Sequence, residues 1–456
     1  MVEIIKYKGF DHIWQYSGPW LYYLLAAYIS LPILAYKLLP YFFHSRRAST
    51  RKSVLILVLG DLGHSPRMCY HALSFSKIGY DVSLCGYIET RPPEEVVDDL
   101  NIDIVPIGVV HNVHSLPFVI FAIQKIFTQL KQLVKILWDK GAGIDVVMIQ
   151  NPPSIPILLI VLLFKLFIHR QWKVVIDWHN LNYTILNLRF QNINHPLVRL
   201  MKFYESFLGR FADLNITVTK QMKKFLINDF GFDKSKVTTF YDRPGMQFKP
   251  AENKQPRKEH EIFQDVKNIE QYRILISSTS FTPDEDFDVL LDALELYDKS
   301  DKSTTPPILL IVTGKGPLKE KFVQRVIELD YSPKVIVKTA WLTSEDYPII
   351  LAQADLGISL HTSSSGIDLP MKIVDFFGCG VPVISLSFPA INELVKEGNN
   401  GLIAEDSTAE NIDKLLEKVF TDETLLSRLK EGALLESKSR WDENWMSVLR
   451  SRFVNE

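Results

Sequence analysis

The sequence predicts an α/β protein with two doubly wound parallel-sheet halves facing a cleft and one N-terminal transmembrane helix. Three observations carry this. Short β-branched runs alternate with helical stretches in two successive sets. A polar stretch separates the sets. An apolar segment with a single charge precedes both. The 456 residues are long for one domain and natural for two. At 47 % apolar and 23 % charged residues the composition is that of a folded chain, which excludes wholesale disorder. Lys and Arg total 51 against 53 Asp and Glu, so no basic excess points to nucleic acid. Three cysteines, Cys69, Cys85 and Cys379, are too few and too dispersed for a disulfide framework or a CxxC metal knuckle.

A mean hydropathy of +0.05 is high for a soluble enzyme, and much of the excess lies in Gly18–Phe43, where Lys37 is the only charge. These 26 residues would span about 39 Å as a helix, enough to cross a hydrocarbon core of about 30 Å. Trp14, Trp20, Tyr22 and Tyr23 at one end, with Tyr36 and Tyr41 at the other, read as interfacial belts. A cleaved signal peptide would have a shorter apolar stretch and a small-residue cleavage site. The segment therefore reads as an uncleaved anchor. Arg46, Arg47, Arg51 and Lys52 follow it without an acid, while Lys6 and Lys8 upstream are offset by Glu3 and Asp11. Positive-inside counting puts everything after the anchor in the cytosol, out of reach of glycosylation at the Asn182 and Asn215 sequons.

The first set of strands reads 53–61, 81–87, 103–107, 146–150, 173–178 and 214–219. The second reads 273–280, 308–314, 335–341, 356–361 and 381–387. The domains expected are an anchor over 1–45, a first Rossmann-like domain over 46–245, a polar linker over 246–272 and a second Rossmann-like domain over 273–456. Two segments of the first half are unusually apolar. Leu116–Trp138 carries only Lys125, Lys131 and Lys135 as charges and reads as a helix lying in the bilayer interface. Ile155–Ile168 is too short for a confident span, and burial as a crossover helix and exposure to the membrane both remain open.

Ligands of doubly wound folds bind beyond the carboxyl ends of the strands, and three loops there carry chemistry. The first, Gly60–Met68 (GDLGHSPRM), turns tightly at Gly60 and Gly63 and offers Asp61, His64, Ser65 and Arg67. The second, Leu360–Val383, has Ser363, Ser364, Ser365 and Gly366 before a helix opened by Pro370. Its hydroxyls and the helix-start amides suit a diphosphate, and Asp375 suits ribose hydroxyls. The third, Ile176–Asn180 (IDWHN), presents Asp177 and His179. Lys315, between two glycines, faces a phosphate, a base or solvent. Asp284, Glu285 and Asp286 read as a helix's acidic first turn in preference to a metal trio.

Together GDLGHSPRM, SSTSFTPDEDF and HTSSSGIDLPMKIVDFFGCGVPV resemble the chitobiosyldiphosphodolichol β-mannosyltransferases, along the chain from anchor to C-terminus. The resemblance implies the GT-B fold, two Rossmann-like domains about a cleft. It implies inverting transfer of mannose from GDP-mannose to chitobiose linked to dolichol diphosphate, on the cytosolic face of the endoplasmic reticulum membrane. Other mannosyltransferases of the same pathway are implied partners. Another GT-B transferase of that pathway and a non-catalytic scaffold are the alternatives. The second half is also similar to GT-B enzymes with a Glu-x7-Glu motif, with Asp375 at the second acid, Ile367 at the first and Asp368 one residue late. The cations those enzymes aim at the diphosphate fall on Ser280 and Glu285, so Lys372, Lys315 and Arg243 are the replacements expected here. Asp61, His64, Asp177 and His179 are the candidate bases. No DxD motif stands in a convincing loop, and no cofactor or essential metal is expected.

Overall fold

The computed structural model describes residues 20–43, 51–112, 115–251, 260–282, 285–300 and 305–454. Trp14, Arg46, Arg47 and Asp284 lie outside these, as does the side chain of Tyr41. The first sheet contains β1 (Ser53–Asp61), β2 (Asp81–Tyr87), β3 (Ile102–Pro106), β4 (Val146–Asn151), β5 (Lys173–Trp178), β6 (Leu214–Thr217) and β7 (Val237–Thr239). It is parallel throughout, in the order β3-β2-β1-β4-β5-β6-β7. The second contains β8 (Arg273–Thr279), β9 (Ile308–Gly314), β10 (Val335–Ala340), β11 (Leu356–Ser359), β12 (Val383–Leu386) and β13 (Gly401–Ala404). Its order is β10-β9-β8-β11-β12-β13, also parallel. Strand order reverses between β1 and β4 in one sheet and between β8 and β11 in the other. The crevices beyond those pairs are where such sheets receive ligands.

The strands are apolar on both faces because helices cover both. Leu55, Leu57 and Leu59 of β1 enter one core and Val54, Ile56 and Val58 the opposite one. Ile308, Leu310 and Val312 of β9 likewise face away from Leu309 and Ile311.

Two expected boundaries are corrected. The polar stretch 246–272, expected as a linker, buries Phe248, Phe263, Val266 and Ile269 in the second unit's core, so its apolar residues, though sparse, anchor it. The end of the chain does not stay with the second sheet. Helices Trp441–Val448 and Arg450–Phe453 return to the first unit, where Trp441, Trp445, Leu449 and Phe453 join its core. Trp441 Nε1 donates to Ser74 Oγ (3.0 Å) and Tyr80 donates to the Phe453 carbonyl (2.8 Å).

The helix Trp20–Phe43 is long and apolar enough to cross a membrane, and Leu24, Ile29 and Leu34 on it are exposed. Its Leu31, Ala35 and Leu39 lie against Ile160, Leu163 and Phe167 of the helix Ile157–Phe167. That short helix is buried on one face only. Ile157, Leu158, Val161 and Phe164 are buried, while Leu159, Leu163 and Leu166 are exposed. The helix Phe118–Lys140 differs from the wholly interfacial helix expected. Its second half buries Leu133, Ile136 and Leu137 under the sheet, and its first half exposes Val119, Ile120, Ile123 and Phe127.

Candidate active site between the two units

The loop after β1 closes tightly. A Cβ on Gly63 would sit 2.8 Å from the Thr90 carbonyl oxygen, so only glycine allows this approach. Asp61 Oδ1 accepts the amides of Glu89 (3.0 Å) and Thr90 (3.1 Å), while Oδ2 lies 2.7 Å from His64 Nδ1. Burial pushes the Asp61 carboxyl up, but these hydrogen bonds outweigh it and the net shift is downward. An ionised Asp61 fixes the His64 proton on Nδ1 and leaves Nε2 as the acceptor, on a ring whose side chain is 61 % exposed. Ser65 donates to the Asp61 carbonyl (2.9 Å), and Gly60 has room around its Cα.

Arg67, expected in the acceptor loop, is instead 1 % exposed and points into the core. Its Nε and Nη2 grip Asp177 Oδ2 and Oδ1 (2.8 and 2.9 Å). Its Nη1 donates to Asp242 Oδ1 (2.7 Å), and Nη2 also reaches the Phe240 carbonyl (3.1 Å). Arg67 is the second residue of the helix Pro66–Lys77, on the face that the helix buries with Met68 and His71. Asp177 is 0 % exposed and is not a base. Burial pushes its carboxyl up, but the Arg67 guanidinium, and then His179 and His71, hold it well below the usual range. His71 Nδ1 accepts from Trp445 Nε1 (3.0 Å), which leaves its proton on Nε2, 3.3 Å from Asp177 Oδ2. Burial lowers the His71 pKa, so the ring is neutral.

His179 follows β5 with Nε2 2.9 Å from Asp177 Oδ2, and its side chain is 25 % exposed. An ionised Asp177 accepts a hydrogen bond from Nε2–H and leaves Nδ1 as the acceptor. The next residue reaches the other unit. Asn180 Nδ2 donates to Ser364 Oγ (3.3 Å) and to Asp368 Oδ2 (3.2 Å). Thr184 meets the same serine (3.1 Å), and Thr219 donates to the Ile367 carbonyl (2.6 Å). Glu393 accepts both the Lys220 and Gln221 amides (2.8 Å each) and the Tyr241 hydroxyl (2.6 Å). Glu205 on the helix Pro196–Gly209 accepts the amides of Asn182 (2.8 Å) and Tyr183 (3.0 Å), and so holds the loop carrying His179.

The serine loop is folded about a carboxylate and not open to an anion. Ser363 and Ser365 donate to Asp368 Oδ1, and Ser363 Oγ accepts the Gly366 amide (2.7 Å). Gly366 takes the left-handed conformation at φ 72°. The expected cations are also engaged. Lys372 is ion-paired with Glu285, whose other oxygen accepts from Thr279 (2.6 Å), at the strand-order reversal between β8 and β11. Arg243 reaches Glu436 (3.4 Å), and the exposed Lys315 lies over the Trp341 ring (4.3 Å). Asp286 caps the helix Phe287–Lys299 by accepting the Asp288 amide (3.1 Å), the role read from its position. Asp375 is partly buried. Desolvation, and then the Asp242 carboxylate, push its carboxyl well above the usual range. Burial, and then its carboxylate, raise the Tyr347 phenol of the second unit, and both also raise Tyr70 of the first.

Residues 258–435 match the glycosyl transferases group 1 model, and residues 68–242 match glycosyltransferase family 4. A chitobiosyldiphosphodolichol beta-mannosyltransferase of Candida albicans is 64 % identical over 100 % of both chains. The chain belongs to that family. The transferase is also 35 % identical to the human protein of the same name, over 93 % of this chain and 97 % of that one. Among solved structures, a glycosyltransferase from Rickettsia africae matches with a TM-score of 0.63 at 17 % identity, covering 89 % of this chain and 97 % of that one. A sucrose-phosphate synthase from Thermosynechococcus elongatus matches at 0.64 and 11 %, covering 87 % and 97 %. These distant likenesses establish the GT-B fold of the transferase. Asn180, Asp242, Glu205 and Glu393 were not singled out from the sequence. Glu205 could have been found as the one acid of a long basic and apolar stretch, whereas Asp242 follows β7, a strand of three residues, and carries no such signal.

Proposed function

We propose that this transferase moves mannose from GDP-mannose to chitobiose carried on dolichol diphosphate, with inversion, at the cytosolic face of the endoplasmic reticulum membrane. The family of the chain supports the acceptor and the transferred sugar. The observation that carries the assignment of roles is the Asn180 bridge, which brings the His179 loop to the donor-side loop at Ser364 and Asp368. His179 Nδ1 is the base for the acceptor hydroxyl, and Asp177, kept ionised by Arg67, steadies the imidazolium that forms. The acceptor oxygen bonds to the mannose anomeric carbon as the bond to the diphosphate breaks, and GDP leaves.

Amides at the start of the helix Met371–Gly378 and the Lys372 ammonium meet the diphosphate, and Asp375 meets the ribose. Anionic charge arriving at Lys372 competes with Glu285, so the pair is a built-in counter-ion that donor binding displaces. Asp61 and His64, at the rim of the first unit, face the acceptor. The helix Trp20–Phe43 anchors the chain, and the basic run after it sets the orientation. Transfer proceeds without an essential metal.

The test is a donor comparison with the purified full-length chain and a chitobiosyl diphosphate lipid. Mannosylation from GDP-mannose and none of comparable rate from UDP-N-acetylglucosamine is the expected result. Equal or reversed donor preference refutes the assignment.

A further inference from the structure

The helices Asn182–Phe190 and Pro196–Gly209 form a hairpin directly after the His179 loop. From Asn182 to Phe211 its only acid is Glu205, which is 0 % exposed and occupied by Asn151, Ser154 and two backbone amides. Arg189, Arg199 and Lys202 on the same stretch are exposed. Between them stands a row of large apolar side chains turned to solvent. Leu200, Phe203, Phe207 and Phe211 are all exposed, with Phe203 at 62 %. Their rings touch in sequence, Phe203 to Phe207 at 5.5 Å and Phe207 to Phe211 at 5.3 Å between centroids.

This row does not end at the hairpin. Phe207 and Phe211 share a groove of about 510 Å³ with Leu159, Leu163 and Leu166 of the neighbouring helix and with Tyr36 of the membrane-crossing helix. An exposed apolar surface continuous with a membrane span, bordered on the hairpin by cations and no exposed acid, and in the groove by Lys165 paired with the half-exposed Asp213, has the chemistry of a lipid interface and not of a protein partner. A soluble partner would need no continuity with the span.

We propose that the hairpin is a bilayer seat. Leu200, Phe203 and Phe207 enter the acyl boundary of the leaflet facing the catalytic units, and Arg189, Arg199 and Lys202 meet anionic headgroups. The span fixes the chain to the membrane, and the seat fixes its pose. It holds the His179–Asn180 loop at the depth where a diphosphate leaves the lipid surface. This consequence for catalysis rests on the lipid-linked acceptor proposed above, whereas the seat itself does not.

The native cysteines are buried, so an introduced surface thiol is the site that takes a label. Full-length protein carrying Phe203→Cys with an environment-sensitive fluorophore would be reconstituted in vesicles of phosphatidylcholine, with and without phosphatidylserine. Ile327→Cys, on an exposed apolar residue of the second unit, serves as the control. The 203 label should be quenched by spin-labelled lipid, more strongly with phosphatidylserine, and protected from aqueous iodide. The 327 label should be quenched by iodide in both vesicles. Arg199→Glu with Lys202→Glu should weaken lipid quenching at 203. It should also raise KM for the lipid-linked acceptor about tenfold with the donor KM unchanged. A 203 label as open to iodide as the control overturns the seat, and so does protection that persists in detergent through contact with another protein. Lipid quenching without any mannosyl transfer supports the seat and refutes the acceptor reading instead.

Discussion

Replacing Arg67 by methionine separates a structural role from a catalytic one. In the native fold one guanidinium satisfies two buried carboxylates, with three hydrogen bonds of 2.7 to 2.9 Å to Asp177 and Asp242. Methionine keeps much of the volume and leaves both acids without their cation. Breaking a buried ion pair by removing one partner costs about 3–5 kcal/mol, and here the partner serves two acids, so about 4–5 kcal/mol is expected. At roughly 2–4 °C per kcal/mol for a unit of this size, the first unfolding transition should fall by about 8–20 °C. The sign with pH follows from Asp177. Its carboxyl is held below the usual range, so it contributes stability above the unfolded carboxylate pKa, and that contribution is lost as pH falls through the folded value. Without Arg67, burial pushes the Asp177 carboxyl up, so the variant relieves its buried charge by taking up a proton at lower pH, and its deficit should be larger at pH 7.5 than at pH 5. Thermal unfolding of the detergent-solubilised full chain, followed by tryptophan fluorescence, reads both effects. Adding Asp177→Asn and Asp242→Asn should recover part of the loss, because no charge is then left buried. A variant that keeps its transition within about 2 °C yet loses turnover would return Arg67 to the substrate and refute this reasoning.

Other substitutions read the donor side. Asp375→Ala should weaken GDP binding by about 1.5–3 kcal/mol by calorimetry, and unchanged affinity would remove Asp375 from the ribose. Because burial and Asp242 raise the Asp375 carboxyl, its favourable contribution is full below the unfolded carboxylate pKa and is lost as pH rises. Asp375→Asn should accordingly gain stability relative to the native chain at pH 8 more than at pH 5. Lys372→Met should raise the GDP-mannose KM and lower turnover by roughly tenfold to a hundredfold, while Glu285→Gln, which frees the ammonium, should tighten GDP binding. Loss of GDP affinity in Glu285→Gln would make Glu285 a donor ligand. Dialysis against EDTA should leave turnover within about twofold, and a collapse restored by divalent cations would establish a metal.

The parts legible in the sequence were those written in local periodicity. Long apolar strands such as β1 and β9 announce themselves because both faces are buried, whereas β7 has only three residues and β13 (GLIA) opens on a glycine and holds a single β-branched residue. Trp441 and Trp445 gave no sign that the chain end crosses to the first unit, since sequence does not say which core receives a tryptophan. The site loops were found because glycine, serine, histidine and aspartate stand together at strand ends. Their orientation was not legible. Whether Arg67 faces a substrate or two buried acids depends on Asp177 and Asp242, which are 110 and 175 residues away in the chain. The serines were read as an anion cradle because Asp368 lies only three to five residues on, too close for sequence alone to show that it would take their hydroxyls.

The measurement that bears most directly on the mechanism compares His179→Ala with His64→Ala in the purified full chain, with GDP-mannose and a chitobiosyl diphosphate lipid. Both rings are held by an aspartate, at 2.9 and 2.7 Å, and both keep one nitrogen as acceptor. Only His179 adjoins the Asn180 bridge to the donor-side loop. His179→Ala should lower turnover by about 10²–10⁴-fold with GDP affinity intact, and His64→Ala should act mainly through the acceptor KM. A larger loss of turnover in His64→Ala than in His179→Ala would contradict the assignment and place the base on the loop after β1.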